Sequence, residues 1–263
     1  MSDAPGAATF QTPAEAYDRH IGRYSRKLAR AFIVAAGVHN FQRALDVGCG
    51  PGALTTELVG LLGHERVAAV EPSAPFAEAC RRRLPGVQVE SAAAEALPFE
   101  DGTFHHALAQ LVLNFMSDPP AGLREMQRVT HPGGTVAAAV WDYRGEMTLL
   151  RTFWDAAVAL DPSAEDEGTT MPYCTPDELH ELWSAAGLAE VRVVPAVVDA
   201  GYEDFEDLWY PLEIGVGPAG AHTVALAPEA RAALKDELRR RLGVGDDPFR
   251  LSARAWIATG RVV

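Results

Sequence analysis

Ala44-Leu45-Asp46-Val47-Gly48-Cys49-Gly50-Pro51-Gly52, running on into Ala53-Leu54-Thr55-Thr56-Glu57-Leu58, is the stretch around which the chain is organised. It starts as a short apolar strand, turns on glycines at 48, 50 and 52, and continues as a helix. Glycine at such a turn permits positive φ and leaves no Cβ between backbone and ligand. The helix that follows presents free N–H groups and a partial positive charge to whatever rests on the turn. Leu54, Leu58, Leu61 and Leu62 recur at helical spacing, a stripe suited to docking on a sheet. The pattern predicts a nucleotide-type cradle at the carboxyl end of a strand; a tight structural turn without a ligand is the alternative.

Two features narrow the ligand. The turn reads G-x-G-x-G, one residue shorter than the dinucleotide fingerprint. Asp46 lies just before the first glycine, where a carboxylate repels a pyrophosphate and suits a cationic ligand. Leu45-Asp46-Val47-Gly48-Cys49-Gly50-Pro51-Gly52 resembles the glycine-rich motif of the class I S-adenosylmethionine-dependent methyltransferases, whose cofactor carries an ammonium and a sulfonium. More narrowly, the chain resembles the ubiquinone/menaquinone-biosynthesis type and its secondary-metabolite relatives. The resemblance implies an α/β fold: a doubly wound, Rossmann-like sheet of seven strands in the order 3-2-1-4-5-7-6, the last strand antiparallel. An N-terminal helical cap and helical insertions complete it.

With 263 residues the chain can bury a full α/β core, and one domain with insertions is expected. Residues 1–37 form a tail and cap, 38–142 the cofactor-binding core, and 143–263 the substrate-side helices with strands six and seven. The composition is that of an ordinary soluble globular protein. A formal charge of −13 disfavours nucleic acid and anionic membrane as partners, since both need a basic surface. No apolar run reaches the roughly 18 residues of a membrane span, and no signal peptide is evident. Cys49, Cys80 and Cys174 are scattered, without zinc-site spacing, and read as reduced cytosolic thiols, so a cytoplasmic setting is expected.

Residues 1–12 read as a loose polar tail, and a helical pattern starts at Pro13. Tyr17-Asp18-Arg19-His20-Ile21-Gly22-Arg23 is either an amphipathic cap or, as the resemblance implies, a cover over the cofactor. In the second reading Tyr17 and Arg23 approach the methionine end, Arg23 as partner of its carboxylate. The next helix, about 25–37, ends near Gly37. Arg66–Pro72 is a second buried strand ending in an acid. Glu71 lies 19 positions beyond Gly52, about the separation at which an acid reaches a ribose hydroxyl pair. Ser73 is expected to cap the helix that follows, whose Arg81-Arg82-Arg83 run is a solvated C-terminus.

Strand three, 87–90, is followed by Ala93-Ala94-Glu95-Ala96-Leu97-Pro98-Phe99, which resembles the family's adenine-holding loop. Ala93 stands where relatives often carry an aspartate, so Ala94 backbone or Glu95 would supply that contact. Strand four, 104–111, has His105 at a position usually aspartate in relatives. His105 and His106 do not form a metal site, because neighbouring strand residues point to opposite faces. Gln110, Leu113 and Asn114 lie at its carboxyl end, facing the expected methyl group. Asp118 caps a helix with Pro119 at its first position, lined by Leu123, Met126 and Val129, and strand five spans 135–142. The implied cofactor site therefore comprises Tyr17, Arg23 and Asp46, the turn residues Gly48, Cys49, Gly50 and Gly52, and Glu71, Pro72, Ala94, Glu95 and Gln110.

Beyond residue 143 the motifs thin. A helix at 147–160 precedes an acidic, loop-like stretch, Asp161–Thr170. Thr175-Pro176-Asp177-Glu178 is a capping box, and Gly187 closes that helix. Strand six spans 189–198 and the last strand 251–262, with an insertion between them carrying Asp204–Pro211 and a helix at 229–242. The insertion around Trp209-Tyr210-Pro211, together with the N-terminal segment, is expected to close the substrate pocket; ordinary packing is the alternative for these aromatics.

Methyl transfer to an O, N or C atom of a small molecule is the expected reaction, with S-adenosyl-L-methionine as cofactor and no metal. The protein's part is alignment and exclusion of water, so a catalytic base is optional. His20, His106, Tyr17 and Tyr210 are candidates. A cofactor-binding protein without transfer activity is one alternative. A NAD-dependent oxidoreductase is another, disfavoured by Asp46 and the short turn.

Overall fold

Short runs such as Val67–Val70, and Ala44–Val47 with its single Asp46, suit strands buried on both faces, which is what a parallel sheet covered by helices demands. The computed structural model describes residues 19–263, and Tyr17 with the expected tail and the start of the first helix lies outside them. In chain order the elements are α1 (Gly22–Ala35), β1 (Ala44–Val47), α2 (Ala53–Leu62), β2 (Val67–Val70), α3 (Ala74–Arg83), β3 (Gln88–Glu90), β4 (Phe104–Gln110) and α4 (Pro119–Val129). They continue with β5 (Thr130–Trp141), α5 (Thr148–Leu160), α6 (Glu167–Thr170), α7 (Pro176–Ala185), β6 (Ala189–Tyr202), α8 (Phe205–Glu213), α9 (Gly217–Ala225), α10 (Pro228–Leu242) and β7 (Phe249–Arg261).

The seven strands lie in the order β3-β2-β1-β4-β5-β7-β6. Pairing is parallel from β3 to β5, and β7 runs antiparallel to both of its neighbours. This is the expected α/β architecture. Every residue of β1 and β2 is buried, whereas β6, at the edge, alternates between buried and exposed positions over its outer half. Helix α1 places Tyr24, Leu28, Ala29 and Phe32 at helical spacing into the core. It packs across the carboxyl half of the sheet and on β6, and Tyr24 meets Tyr202 of β6 through a 3.0 Å hydroxyl hydrogen bond.

Local signals acted as expected at two helix starts. The Asp118 side chain accepts from the N–H of Ala121, and Thr175 with Glu178 forms the reciprocal capping box. Ser73 differs. It stands at the cap position, but its hydroxyl makes no capping bond; its backbone N–H donates to Glu71 instead. Strand β5 starts at Thr130, before the expected 135, with a shift of register between Phe104–Thr130 and His106–Thr135. A Cβ on Gly134 would lie 2.6 Å from the His105 carbonyl oxygen, so only glycine permits this close approach. Three helices were not expected: α6 inside the acidic stretch 161–170, and α8 and α9 within the insertion.

Candidate functional site

The glycine turn leaves β1 at its carboxyl end and is pinned to the neighbouring strand, because the N–H groups of Gly48 and Cys49 both donate to the Val70 carbonyl. Gly50 has φ +53°, and a Cβ there would find nothing within 4 Å, so that face of the turn is open. Gly48 (φ +70°) is crowded, since its Cβ would meet the Val112 side chain at 2.5 Å. Glu71, at the end of β2, accepts the Gly50 N–H on Oε2 at 2.8 Å and the Ser73 N–H on Oε1 at 2.9 Å. Burial pushes its pKa up, against the pull of those two donors.

Asp46 sits beneath the turn, 1% exposed. Its Oδ2 accepts from the Thr55 hydroxyl at 2.6 Å, while Oδ1 is buried without a partner among the described residues. Burial raises this carboxyl to about 7. Gln110 ends β4; its Nε2 donates to the Ser25 carbonyl of α1 at 3.1 Å, and its Oε1 is likewise buried and unpaired. Two orphaned acceptors thus face one cleft, an arrangement that costs stability unless a donor arrives.

That cleft, open to solvent on one side, spans about 950 Å³ at the carboxyl ends of β1, β2 and β4. It brings together Asp46, Gly48, Cys49, Gly50, Glu71 and Pro72, with Ala93, Ala94, Glu95 and Gln110 on the other side. Glu95 also braces the wall, accepting the N–H groups of Ser117 and Asp118. Gly52 does not line the cleft; it stands at the cap position of α2 with φ +94°. Arg23 does not line it either. Its guanidinium pairs with Asp207 of α8 at 2.8 and 3.0 Å, donates to the Gly201 carbonyl, and lies over the Tyr202 ring.

The base candidates separate in space. His106 is at the opposite end of the sheet, its Nε2 within 2.9 Å of Gln42 Oε1, and burial lowers its pKa to about 4. His105 is there too, its Nδ1 accepting the Arg43 N–H, so this departure from the family pattern lies away from the cleft. Tyr210 is 44% exposed under the Arg19 guanidinium and lines neither the cleft nor the cavity beside it. His20 is buried at the entry to α1, with its pKa lowered to about 3 by burial first and Arg23 second. Among the described residues, no group of three or more His, Cys, Asp and Glu is arranged to hold a metal ion.

His20 opens on a second, mostly apolar cavity that spans about 440 Å³ and is partly open to solvent. Leu111 and Phe115 line both spaces and form the wall between them. Leu111 holds a left-handed backbone (φ +63°) at the point where β4 ends. The far wall is Trp141, Tyr143, Leu150 and the segment Val216–Ala219. The insertion therefore contributes the start of α9, and the expected closure by Trp209-Tyr210-Pro211 is replaced: Trp209 is buried in packing and Tyr210 faces outward. One carboxyl group in this wall had not been singled out from sequence, Glu167. It is 3% exposed, and its Oε2 accepts the Trp154 indole N–H at 2.7 Å. The local signal was Asp166, whose carboxylate accepts the Gly168 N–H and starts α6.

Residues 45–138 match a family model described as a methyltransferase domain. The chain is 29% identical over 206 residues to a malonyl-[acyl-carrier protein] O-methyltransferase of Halorhodospira halophila, covering 68% of this chain and 69% of that one. It is 27% identical over 238 residues to a demethylmenaquinone methyltransferase of Roseiflexus castenholzii, covering 81% and 90% respectively. Other curated relatives are spanned over less than two thirds of their length, at 31%, 58% and 59%. Among solved structures, a proposed type II methyltransferase of Anaeromyxobacter dehalogenans superposes with a TM-score of 0.65 at 22% identity, over 92% of this chain and 97% of that one, which establishes the shared fold. With its glycine turn at the carboxyl end of β1, its strand order and the matched domain, the chain is similar to the class I S-adenosylmethionine-dependent methyltransferases.

Proposed function

We propose that the protein transfers a methyl group from S-adenosylmethionine to a small, largely apolar molecule seated in the cavity behind Leu111 and Phe115. The observation that carries this is the shared wall: a cleft with two orphaned acceptors abuts a more apolar cavity through two side chains. The cleft residues fit the cofactor's chemistry. Asp46 Oδ1 and Gln110 Oε1 would take its ammonium, and Glu71 keeps lone pairs for ribose hydroxyls beside the two N–H groups it already accepts. Glu95, Ala94 and the open face of Gly50 would border the remaining adenosine. When bound, the cofactor supplies an electrophilic methyl group on a sulfonium.

The chain's own task is alignment and exclusion of water. Helix α1 covers the cleft through the Gln110–Ser25 bond, and the cavity wall is built from buried aromatic and aliphatic side chains. The printed functions of the relatives name a malonyl acyl-carrier protein and a demethylmenaquinone; the apolar cavity favours an apolar ring substrate over a charged malonyl group. A cytosolic setting goes with this reading and rests on the scattered thiols.

Separate calorimetric titrations with S-adenosylmethionine, S-adenosylhomocysteine and NAD test the cofactor. The first two should bind and NAD should not. Incubation of a panel of apolar phenols and quinols with methyl-labelled cofactor should then give a product heavier by one methyl group. Binding of NAD in preference to the sulfonium cofactor would end the proposal.

A further inference from the structure

Glu167 is an expensive residue in its place. A carboxyl group in an apolar cavity loses hydration and recovers little unless a partner compensates it. Among the described residues its hydrogen-bond donor is the Trp154 indole, which occupies one of about four lone-pair directions. None of the cavity-lining residues is Lys or Arg, so no cation stands opposite it there. Burial raises the Glu167 carboxyl to about 7 and keeps the His20 imidazole neutral.

The group is also held firmly. Asp166, immediately before it, accepts from Gly168 and is gripped by Arg151 of α5 through bonds of 3.1 and 2.7 Å. Arg151 is in turn fixed by Asp155. Trp154, the indole donor, lies against Phe153 and the His222 ring of α9. The titratable or charged groups around Glu167 are therefore Asp166, Arg151, His222, His20 and Tyr143, and the cation among them is already committed to Asp166 and Asp155. In the same wall Trp141, 1% exposed, has an indole N–H without a partner among the described residues.

We propose that Glu167 is the polar anchor of this cavity and selects an uncharged, largely apolar ligand that presents one O–H or N–H donor to it. A hydrogen bond from such a donor to the carboxylate is charge-assisted, whereas an anionic ligand meets a like charge with no cation to offset it. An unpaired indole N–H in the wall further suits a hydroxyl, which accepts as well as donates. The inference rests on the proposed function only in taking this cavity as the substrate site. A purely structural role would leave Glu167 bracing the Trp154 corner, and the two can be separated.

The test uses 2-naphthol, 2-methoxynaphthalene and 2-naphthoate as probes, titrated calorimetrically into the full chain without cofactor. At pH 8 the wild type should bind 2-naphthol at least tenfold more tightly than either of the others, and more tightly than it does at pH 6. Glu167→Gln, which keeps an oxygen for the Trp154 indole, should collapse that preference to about twofold and remove the pH dependence. Trp154→Phe, which keeps the carboxyl and removes its donor, should retain the preference with its pH midpoint shifted upward. Val216→Phe, which fills the cavity, should weaken all binding of 2-naphthol. Equal or absent binding of the three probes, a preference untouched by Glu167→Gln, or binding indifferent to Val216→Phe overturns the inference. Because no cofactor is present, loss of the methyltransferase reading in the S-adenosylmethionine titration leaves this result standing, and the converse also holds.

Discussion

Glu71 Oε2 accepts the backbone N–H of Gly50 at 2.8 Å, so the carboxylate that ends β2 also shapes the turn that ends β1. Glu71→Ala should therefore weaken more than a ribose contact. Losing a charged acceptor costs about 1–3 kcal/mol, so S-adenosylmethionine affinity should fall roughly 10- to 100-fold. Adenosine and free methionine, titrated separately, should both bind less well because the turn relaxes. A loss confined to adenosine would mean that the carboxylate acts on the ribose alone.

Asp46 should link cofactor binding to pH. Its ionised form is the one that pairs with an ammonium, and its pKa in the ligand-free fold is about 7. Affinity for S-adenosylmethionine should rise severalfold between pH 6 and pH 8, and Asp46→Asn should bind weakly with a flat profile. The stability effect has the opposite sense. A carboxyl whose folded pKa exceeds its unfolded value of about 3.9 loses folded-state stability as pH rises from there to about 7. Ligand-free Asp46→Asn should accordingly melt higher than wild type at pH 8, as measured by thermal denaturation.

Arg23 should behave as a structural tie. Its pair with Asp207 joins α1 to α8, both side chains are largely buried, and the Arg23 guanidinium holds the Asp207 carboxyl down at about 2. Arg23→Ala should lower the melting temperature by about 3–6 °C, corresponding to about 1–2 kcal/mol. Cofactor affinity should stay within about threefold. The stabilisation from Asp207 is fully present above its unfolded pKa and is lost as pH falls through about 2. A selective loss of cofactor binding in Arg23→Ala would return this residue to the methionine carboxylate.

Much of this was legible because it is local. The octet 45–52, the Asp118 cap and the Thr175 capping box each act within a few residues, and all three sit where the sequence places them. The seven-strand order came from the resemblance of the motifs, which tracks the part of the chain up to β5. The cavity was less legible, because its wall gathers residues from six separate segments. Trp209 and Tyr210 are adjacent, yet one is 1% exposed and the other 44%, and aromatic content alone cannot tell these faces apart. Glu167 was hidden for the opposite reason. It lies among Asp161, Glu165 and Asp166, so its sequence surroundings read as solvated, and only the fold of α5 over α6 removes it from water.

Gly50→Val should separate folding from binding. The position has φ +53° and room for a side chain, so the strain of a left-handed β-branched residue is about 1–2 kcal/mol. Circular dichroism should show a folded protein with a modestly lower melting temperature. S-adenosylmethionine binding should be lost, since the new side chain projects into the open face of the turn. Unchanged affinity in the folded variant would remove the turn from the binding site.

The Gln110 amide has two ends with different employers: Nε2 holds the Ser25 carbonyl of α1, and Oε1 waits in the cleft. A single planar group thus joins the roof of the cleft to its floor. Thermodynamic reciprocity then binds the two together. Whatever factor a ligand on Oε1 gains from a seated α1, the seating of α1 gains from that ligand. Hydrogen exchange at the α1 amides should slow on saturation with cofactor, and a substitution that leaves α1 unseated should raise the dissociation constant by the factor by which cofactor raises that protection in the wild type.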